Sequence, residues 1–162
     1  MLLALTLAIQ MIGMPQYATG PLVNTMLYIA ATFVGIGGGV AIGVVTPVIA
    51  FWRGILPPPL GPMIPFIAIG NAVLVIVFGL LERRGRLAAI VGIVAASVLK
   101  FLVLSGAVRF VVQVKPAIAN MMQTPQLVTA LAGGAIAFVV SEALLRTGAV
   151  KRLSDLSKRR ES

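Results

Sequence analysis

The sequence contains neither cysteine nor histidine. Without cysteine the chain forms no disulfide bonds and offers no thiolate to a metal. Without histidine it lacks the commonest metal ligand and proton shuttle. Acidic residues are also scarce, at four in 162, and there is no GxxxxGK[ST] phosphate-binding loop. These absences exclude most familiar catalytic constellations and nucleotide hydrolysis by that loop, so we expect the chain not to be an enzyme.

Apolar residues dominate the composition instead. They make up 59% of the chain and charged residues only 10%, whereas soluble domains are roughly half apolar. The composition therefore predicts an all-α, multi-pass membrane protein. The formal net charge of +9 lies mostly beside apolar segments, where the cytoplasmic bias of lysine and arginine explains it better than nucleic-acid binding does.

Six apolar segments emerge when stretches near the ~20 residues needed to cross ~30 Å of hydrocarbon are separated at proline, glycine or charge. The first three are short and the last three are long enough to span. Because the first segment is short and lacks a basic flank, we expect the chain to start upstream of Met1; a cleaved signal peptide is the competing interpretation. The predicted segments are residues 1–13, 22–34, 39–52, 63–81, 87–114 and 125–147.

Two basic clusters, at residues 82–86 and 146–160, set the orientation. The fifth and sixth segments separate them, so both clusters lie on one side, which the positive-inside rule identifies as the cytoplasm. Six spans then place both termini in the cytoplasm. We predict a transmembrane domain at residues 1–148 and a basic cytoplasmic tail at 149–162, in the cytoplasmic membrane. The outward loops are residues 14–21, 53–62 and 115–124.

Small residues recur every four positions, as at Gly35, Gly39 and Gly43. In lipid, helices associate by close packing, so such stripes are contact faces. Intramolecular packing is their ordinary explanation.

Polar residues inside the spans are more informative, because a charge in hydrocarbon is costly unless it faces protein, water or a partner. At 1.5 Å per residue, Lys100 lies about 20 Å above Leu87, and Asn71 about 12 Å below Met63. Gln10, at the outer end of the first segment, and Asn24, at the outer start of the second, join the same layer. The outer half of the protein is therefore the predicted binding region. The alternative for Lys100 is a buried structural cation bonded to carbonyl groups.

Arg109 is a further candidate ligand near the outer surface. It follows Lys100 by nine residues, about half a turn out of phase at ~100° per residue, so a straight helix cannot direct both into one pocket. Either Gly106 breaks the helix or only one of the two binds. Arg109 is equally well explained as a side chain that snorkels to the interface.

The outer loops add three candidate binding residues, Gln16, Tyr17 and Arg53. Residues 54–65, GILPPPLGPMIP, contain five prolines and two glycines, which predicts a stiff segment able to cover a pocket. Proline at residues 15 and 21 also serves simply to end one helix and begin the next.

Glu142 is the only acidic residue well inside a predicted span. It lies about 25 Å from Pro125 toward the cytoplasm, and Arg146 follows four residues later, the favourable order for a helical ion pair. We interpret Glu142 as an inner-surface salt bridge or partner contact and not as a proton-coupling group.

The overall pattern resembles the integral membrane S-components of energy-coupling factor (ECF) transporters. The resemblance covers most of residues 1–147 without a single diagnostic signature. It is carried by six helices, the basic C-terminus and the following stretches: ALTLA at 4–8, QYATGPLVN at 16–24, TP at 46–47, RGILPPP at 53–59, PMIPF at 62–66 and GN at 70–71.

The resemblance implies a substrate-binding subunit without ATPase activity or a bound cofactor. Substrate would bind near the outer surface, between the last three helices and the outer loops. The first three helices would contact a transmembrane coupling subunit joined to two ATPases, which use the ATP. An AxxxA motif on the first helix makes that contact in the family, and Ala4 and Ala8 match it here.

The implied substrate is a vitamin or related precursor. Lys100, with no acidic residue at its depth, suits a carboxylate or phosphate, as in pantothenate or a folate. Three alternatives stay open: a stand-alone secondary transporter, a structural or assembly protein that binds no ligand, and a membrane-embedded enzyme. The enzyme would need convergent acids or nucleophiles that the outer layer lacks.

Overall fold

The computed structural model describes residues 1–147, and these residues fold into helices joined by short links, with no strand among them. The predicted all-α class is therefore confirmed for this part of the chain. The predicted tail at 149–162 lies outside the described residues. The helices are α1 (Leu2–Met11), α2 (Gln16–Phe33), α3 (Ile36–Trp52), a 3₁₀ helix (Pro58–Met63), α4 (Ile64–Glu82), α5 (Arg86–Gly106), a π-helix (Ala107–Val111), α6 (Pro116–Met121) and α7 (Thr124–Arg146).

Three helical stretches in the described residues are long and apolar enough to cross a membrane, namely Pro58–Glu82, Arg86–Val111 and Pro116–Arg146. They overlap the three segments that the sequence predicted to be long enough, at residues 63–81, 87–114 and 125–147. Helices α1 and α3 are apolar but shorter. Helix α2 has 18 residues, but its first half carries several polar side chains.

Several boundaries differ from the prediction. Helix α2 begins at Gln16, six residues before the predicted start, and includes Pro21. A proline in a helix removes one backbone hydrogen bond, but packing compensates here: a Cβ built on Gly20 would lie 2.9 Å from Thr129 Cγ2 of α7. The predicted fifth span is shorter as an α-helix, because α5 ends at Gly106 and continues as the π-helix. Two predicted outer loops contain the 3₁₀ helix and α6.

Helix α2 lies at the centre of the bundle and contacts α3, α4 and α7. Its residues Leu27, Tyr28 and Ala30 are fully buried. Glycines on the neighbouring helices permit this packing: a Cβ built on Gly133 of α7 would lie 2.6 Å from the Pro21 carbonyl oxygen. Gly39 and Gly43 likewise face α4, so these two members of the predicted stripe form a contact face inside the protein, whereas a Cβ built on Gly35 would meet nothing within 4 Å.

The two ends of the bundle differ in chemistry. At one end, Glu142 of α7 lies beside the basic residues that connect the end of α4 to the start of α5. The Glu142 carboxylate lies 3.5 Å from Arg146 and 3.7 Å from Arg86. The ion pair that the sequence predicted between Glu142 and Arg146 is confirmed. Arg86 also stacks over the Phe138 ring, 5.6 Å from its centroid.

Candidate binding cavity

Lys100 is the centre of a polar cluster formed by three helices. Its side chain is buried in α5, 4% exposed. Its Nζ donates hydrogen bonds of 2.7 Å to Asn24 Oδ1 on α2 and 2.8 Å to Asn71 Oδ1 on α4. A buried ammonium needs such partners, since transfer of an unpaired charge out of water costs several kcal/mol. Counting residues along the predicted spans placed these three residues, which are distant in sequence, in one layer, and the structure joins their side chains.

Asn71 is held by a second contact. Its Nδ2 donates a 2.9 Å hydrogen bond to the Gly43 carbonyl of α3. Glycine permits this close approach, because a Cβ built at residue 43 would lie 3.0 Å from Asn71 Cβ and would press the two helices apart by a few tenths of an ångström. A Cβ built on Gly70 would lie 3.3 Å from Lys100 Cγ. The side-chain stem of Lys100 therefore runs close along α4 toward Asn71.

Asn24 is positioned by the contact between α2 and α7. A Cβ built on Gly133 would lie 2.7 Å from Asn24 Cβ and 2.9 Å from the Thr25 nitrogen. Thr25 Oγ1 then donates to the Gly133 carbonyl at 3.1 Å. The close approach at one glycine fixes the height and rotation of α2, and so the direction of the Asn24 side chain.

The cluster rests on a second polar layer one turn away. Tyr28, four residues after Asn24, shares a 3.0 Å hydrogen bond with Ser97 Oγ, three residues before Lys100. The Tyr28 ring meets Phe78 edge-to-face, with centroids 4.8 Å apart. These buried contacts separate Lys100 from the basic end of the bundle.

A cavity of about 300 Å³ opens on the other side of Lys100. This volume is at the lower end of the range for small-molecule sites, roughly 300–1,000 Å³. The link between α1 and α2 borders it, and Ile55, Leu56, Pro57 and Leu60 from the proline-rich segment cover part of it. Its polar lining residues are Gln10, Thr19, Asn24, Thr46, Asn71, Lys100 and Gln126.

Two glutamines stand out in this lining. Gln10 Oε1, from α1, is buried and has no hydrogen-bond partner among residues 1–147. Gln126, in the first turn of α7, is 8% exposed. The sequence prediction did not select Gln126, although its place at the outer start of the last segment is the same signal that selected Asn24.

Three other predicted site residues, Tyr17, Arg53 and Arg109, lie apart from the cavity lining. Tyr17 is 76% exposed and Arg53 is exposed. Arg109 is also exposed, on the π-helix, and donates a 3.3 Å hydrogen bond to Gln123 Oε1. Of the two cations on this helical stretch, only Lys100 therefore lines the cavity. The side chain of Gln16 lies outside the described part of the structure.

Ala4 and Ala8 lie on the exposed face of α1, together with Leu5, which is 47% exposed. Thr6, on the opposite face, is fully buried. The two alanines are thus accessible to another molecule, four residues apart on one side of the helix.

The described residues contain two carboxylates, Glu82 and Glu142. Both border a second cavity, of about 210 Å³, which Arg86 also lines. Since α4 runs from the first cavity at Ile67 to Glu82, about 22 Å along its axis at 1.5 Å per residue, the carboxylates and Lys100 lie toward opposite ends of the bundle.

No known protein family, curated protein or solved structure matches the chain. The geometry of the cavity and the pattern of the sequence therefore carry the functional conclusion.

Proposed function

We propose that the chain is the substrate-binding subunit of an ECF-type importer for a vitamin or related micronutrient. The observation that carries the proposal is a small, mostly apolar cavity containing a buried lysine, set within helices long and apolar enough to cross a membrane. Cavities of this kind, with a few convergent polar groups, are the usual form of a small-molecule site.

The cost of burying Lys100 supports a binding role. A lysine inside a membrane span is expensive and is ordinarily tied to a substrate, ion or partner. Two amide oxygens stabilise this one, and Lys100 is also one of the residues that line the cavity. A lysine whose only role was to join three helices would not need to line a cavity.

The distribution of arginine supports an outward-facing cavity in the cytoplasmic membrane. Arg83, Arg84, Arg86 and Arg146 cluster where α4 and α7 end and α5 begins, which is the cytoplasmic side by the positive-inside rule. The cavity then faces outward. In this proposal α1, α2 and α3 also cross the membrane, giving six spans with both termini inside, and short spans tilt little or thin the bilayer locally.

The exposed alanines on α1 support a coupling contact. Small exposed side chains allow a second helix to approach closely, so Ala4 and Ala8 form the proposed contact with a transmembrane coupling subunit. Two partner ATPases supply ATP hydrolysis, since this chain has no phosphate-binding loop of the GxxxxGK[ST] type.

Ligand-induced thermal stabilisation tests the capture function. Purified protein in detergent is heated with each member of a panel of neutral, cationic and anionic vitamins. We expect one chemical class to raise the melting temperature in proportion to the logarithm of its concentration, as binding to the folded state requires. No stabilisation by any member would favour the structural or assembly alternative.

Co-purification tests the coupling function separately. Tagged protein with Ala8→Trp is expected to lose coupling and ATPase subunits that accompany the unchanged protein from native membranes. Its ligand-induced stabilisation should persist, because Ala8 lies outside the cavity lining. Equal recovery of the subunits with both proteins would contradict the assigned contact, and their absence from both would favour a stand-alone transporter.

A further inference from the structure

The charges around the cavity are unbalanced. Among the residues that line it, Lys100 is the one cation and none is acidic. The carboxylates in residues 1–147 lie toward the other end of the bundle, and the Glu142 carboxylate is paired with Arg86 and Arg146. The partners of Lys100 are neutral amides, which solvate its charge without cancelling it.

The ammonium also has unused hydrogen-bonding capacity. A lysine ammonium carries three N–H donors, and two of them are directed at Asn24 and Asn71. No third acceptor is present in the described part of the chain, and Nζ belongs to a side chain that borders the cavity. A ligand atom that accepts this third hydrogen bond and carries one negative charge would balance the site.

We infer that the cavity binds a small monocarboxylate that also carries a hydroxyl or amide N–H group. The carboxylate accepts from Lys100 Nζ, and the hydroxyl or N–H donates to Gln10 Oε1. The inference rests on the proposed function and names the substrate class for the same cavity.

The single positive charge of Lys100 favours a ligand that carries a carboxylate over one that carries a phosphate. A phosphate monoester carries about −1.5 to −2 at pH 7, whereas one ammonium supplies one positive charge. The excess negative charge would lie in a mostly apolar cavity, where an unpaired charge is costly. Arg53 and Arg109 are exposed and outside the lining, so neither neutralises it.

Gln10 accounts for the second group on the ligand. Its Oε1 is a buried acceptor without a partner among the described residues, and such groups are rare in folded proteins because each costs about 1–3 kcal/mol. Gln10 lines the cavity, so a donor on the ligand would satisfy this oxygen once the side-chain amide turns it toward the cavity. An acid that lacks any hydroxyl or N–H leaves the oxygen unpartnered and should bind less tightly.

Matched ligand pairs test the charge requirement. Pantothenate is compared with pantothenol, in which an alcohol replaces the carboxylate, and biotin with its methyl ester. Nicotinate, a carboxylate without a donor group, is compared with nicotinamide, and pyridoxine 5′-phosphate serves as the phosphate probe. We expect at least one carboxylate with a donor group to stabilise the protein, and its neutral analogue to bind about 100-fold more weakly, as loss of a hydrogen bond to a charged group implies.

Two substitutions test the role of Lys100. Lys100→Met removes the charge at similar size, and Asn24→Asp keeps the lysine but places a competing carboxylate at the position that now lies 2.7 Å from it. Both should weaken binding of the acid about 100-fold. Asn24→Asp retains a paired ammonium and should fold, as a monodisperse elution profile will check. Lys115→Met, which removes the charge of an exposed lysine, is the matched control. This variant should bind the acid as tightly as the unchanged protein does.

Gln10→Leu tests the donor requirement. It should weaken binding of pantothenate or biotin about 10-fold, the value of one neutral hydrogen bond, and leave nicotinate binding unchanged. Equal losses for acids with and without a donor group would overturn the assigned role of Gln10.

The outcomes separate the substrate class from the proposed function. Binding of a neutral, cationic or phosphate probe in preference to the carboxylates would overturn the monocarboxylate inference and leave the capture function standing. Unchanged carboxylate binding by Lys100→Met or by Asn24→Asp would do the same. If no probe stabilises well-folded protein, both the monocarboxylate inference and the proposed capture function are overturned.

Discussion

Lys100 Nζ donates a 2.8 Å hydrogen bond to Asn71 Oδ1, joining the second half of α5 to the first half of α4. The two residues are 29 positions apart, and the same ammonium bonds Asn24 on α2. One cation thus fixes the relative heights of three helices. Lys100 also lines the cavity, so in the proposed function stability and ligand binding depend on the same residue.

Removing the Asn71 amide should destabilise the protein. Asn71→Leu leaves the Gly43 carbonyl unpartnered and Lys100 with one of its two hydrogen bonds. Each unsatisfied buried group costs about 1–3 kcal/mol, so we expect a fall of several degrees in the melting temperature. Asn120→Leu, at an exposed position on α6, is the control. A melting temperature equal to that of the control would show that the network contributes little.

Alanine should have opposite effects at two helical glycines. At Gly133 the added Cβ would meet the Pro21 carbonyl oxygen at 2.6 Å, and backbone must move, which costs about 1–3 kcal/mol. At Gly37 of α3 nothing lies within 4 Å, so alanine should stabilise the helix by about 0.4–1 kcal/mol. Melting temperatures of the two variants test this. A melting temperature of Gly133→Ala equal to or above that of the unchanged protein would contradict the close α2–α7 contact, and a lowered one for Gly37→Ala would contradict the open space at that position.

Glu142→Gln should change stability little. The side chains of its partners are 62% and 74% exposed, and the ion pairs are 3.5 and 3.7 Å long. Exposed ion pairs contribute about 0–1 kcal/mol and weaken with salt. We expect a shift of a few degrees or less in the melting temperature at low salt, none at high salt, and unchanged ligand binding. Loss of ligand binding would instead indicate that Glu142 is a proton-coupling group.

Cysteine labelling tests the orientation directly, because the chain has no cysteine of its own. Single substitutions Arg84→Cys and Lys115→Cys place thiols at exposed positions toward the two ends of the bundle. In intact cells a membrane-impermeant maleimide should label Lys115→Cys and not Arg84→Cys. Permeabilised cells, in which both should react, provide the control. Labelling of Arg84→Cys in intact cells would reverse the proposed orientation.

Sequence reasoning located much of the polar cluster because depth along a helix depends only on residue count. Counting from the ends of the apolar segments placed Lys100, Asn71 and Asn24 in one layer, and the structure joins their side chains. Counting along one helix likewise predicted the confirmed ion pair of Glu142 with Arg146. The ligand-binding role of the cluster stays a prediction.

Other features depended on contacts that counting does not reveal. The predicted start of α2 was wrong because Pro21 predicts a boundary, whereas the helix begins at Gln16 and runs through Pro21, where Gly20 and the Pro21 carbonyl lie close to α7. Gln126 and Gln10 gain their positions from how α7 and α1 are rotated. Helix α5 passes into a π-helix after Gly106, but this change does not bring Arg109, half a turn out of phase with Lys100, into the cavity lining.

The sequence by itself determined the helical class, the three longest apolar helices and the layer in which the polar side chains lie, because these follow from hydrophobic length and from a fixed rise per residue. The tertiary structure decided which members of that layer meet. Rotation about each helix axis is set by close contacts at Gly43 and Gly133, between residues far apart in the chain, and these contacts turn Asn24 and Asn71 toward Lys100.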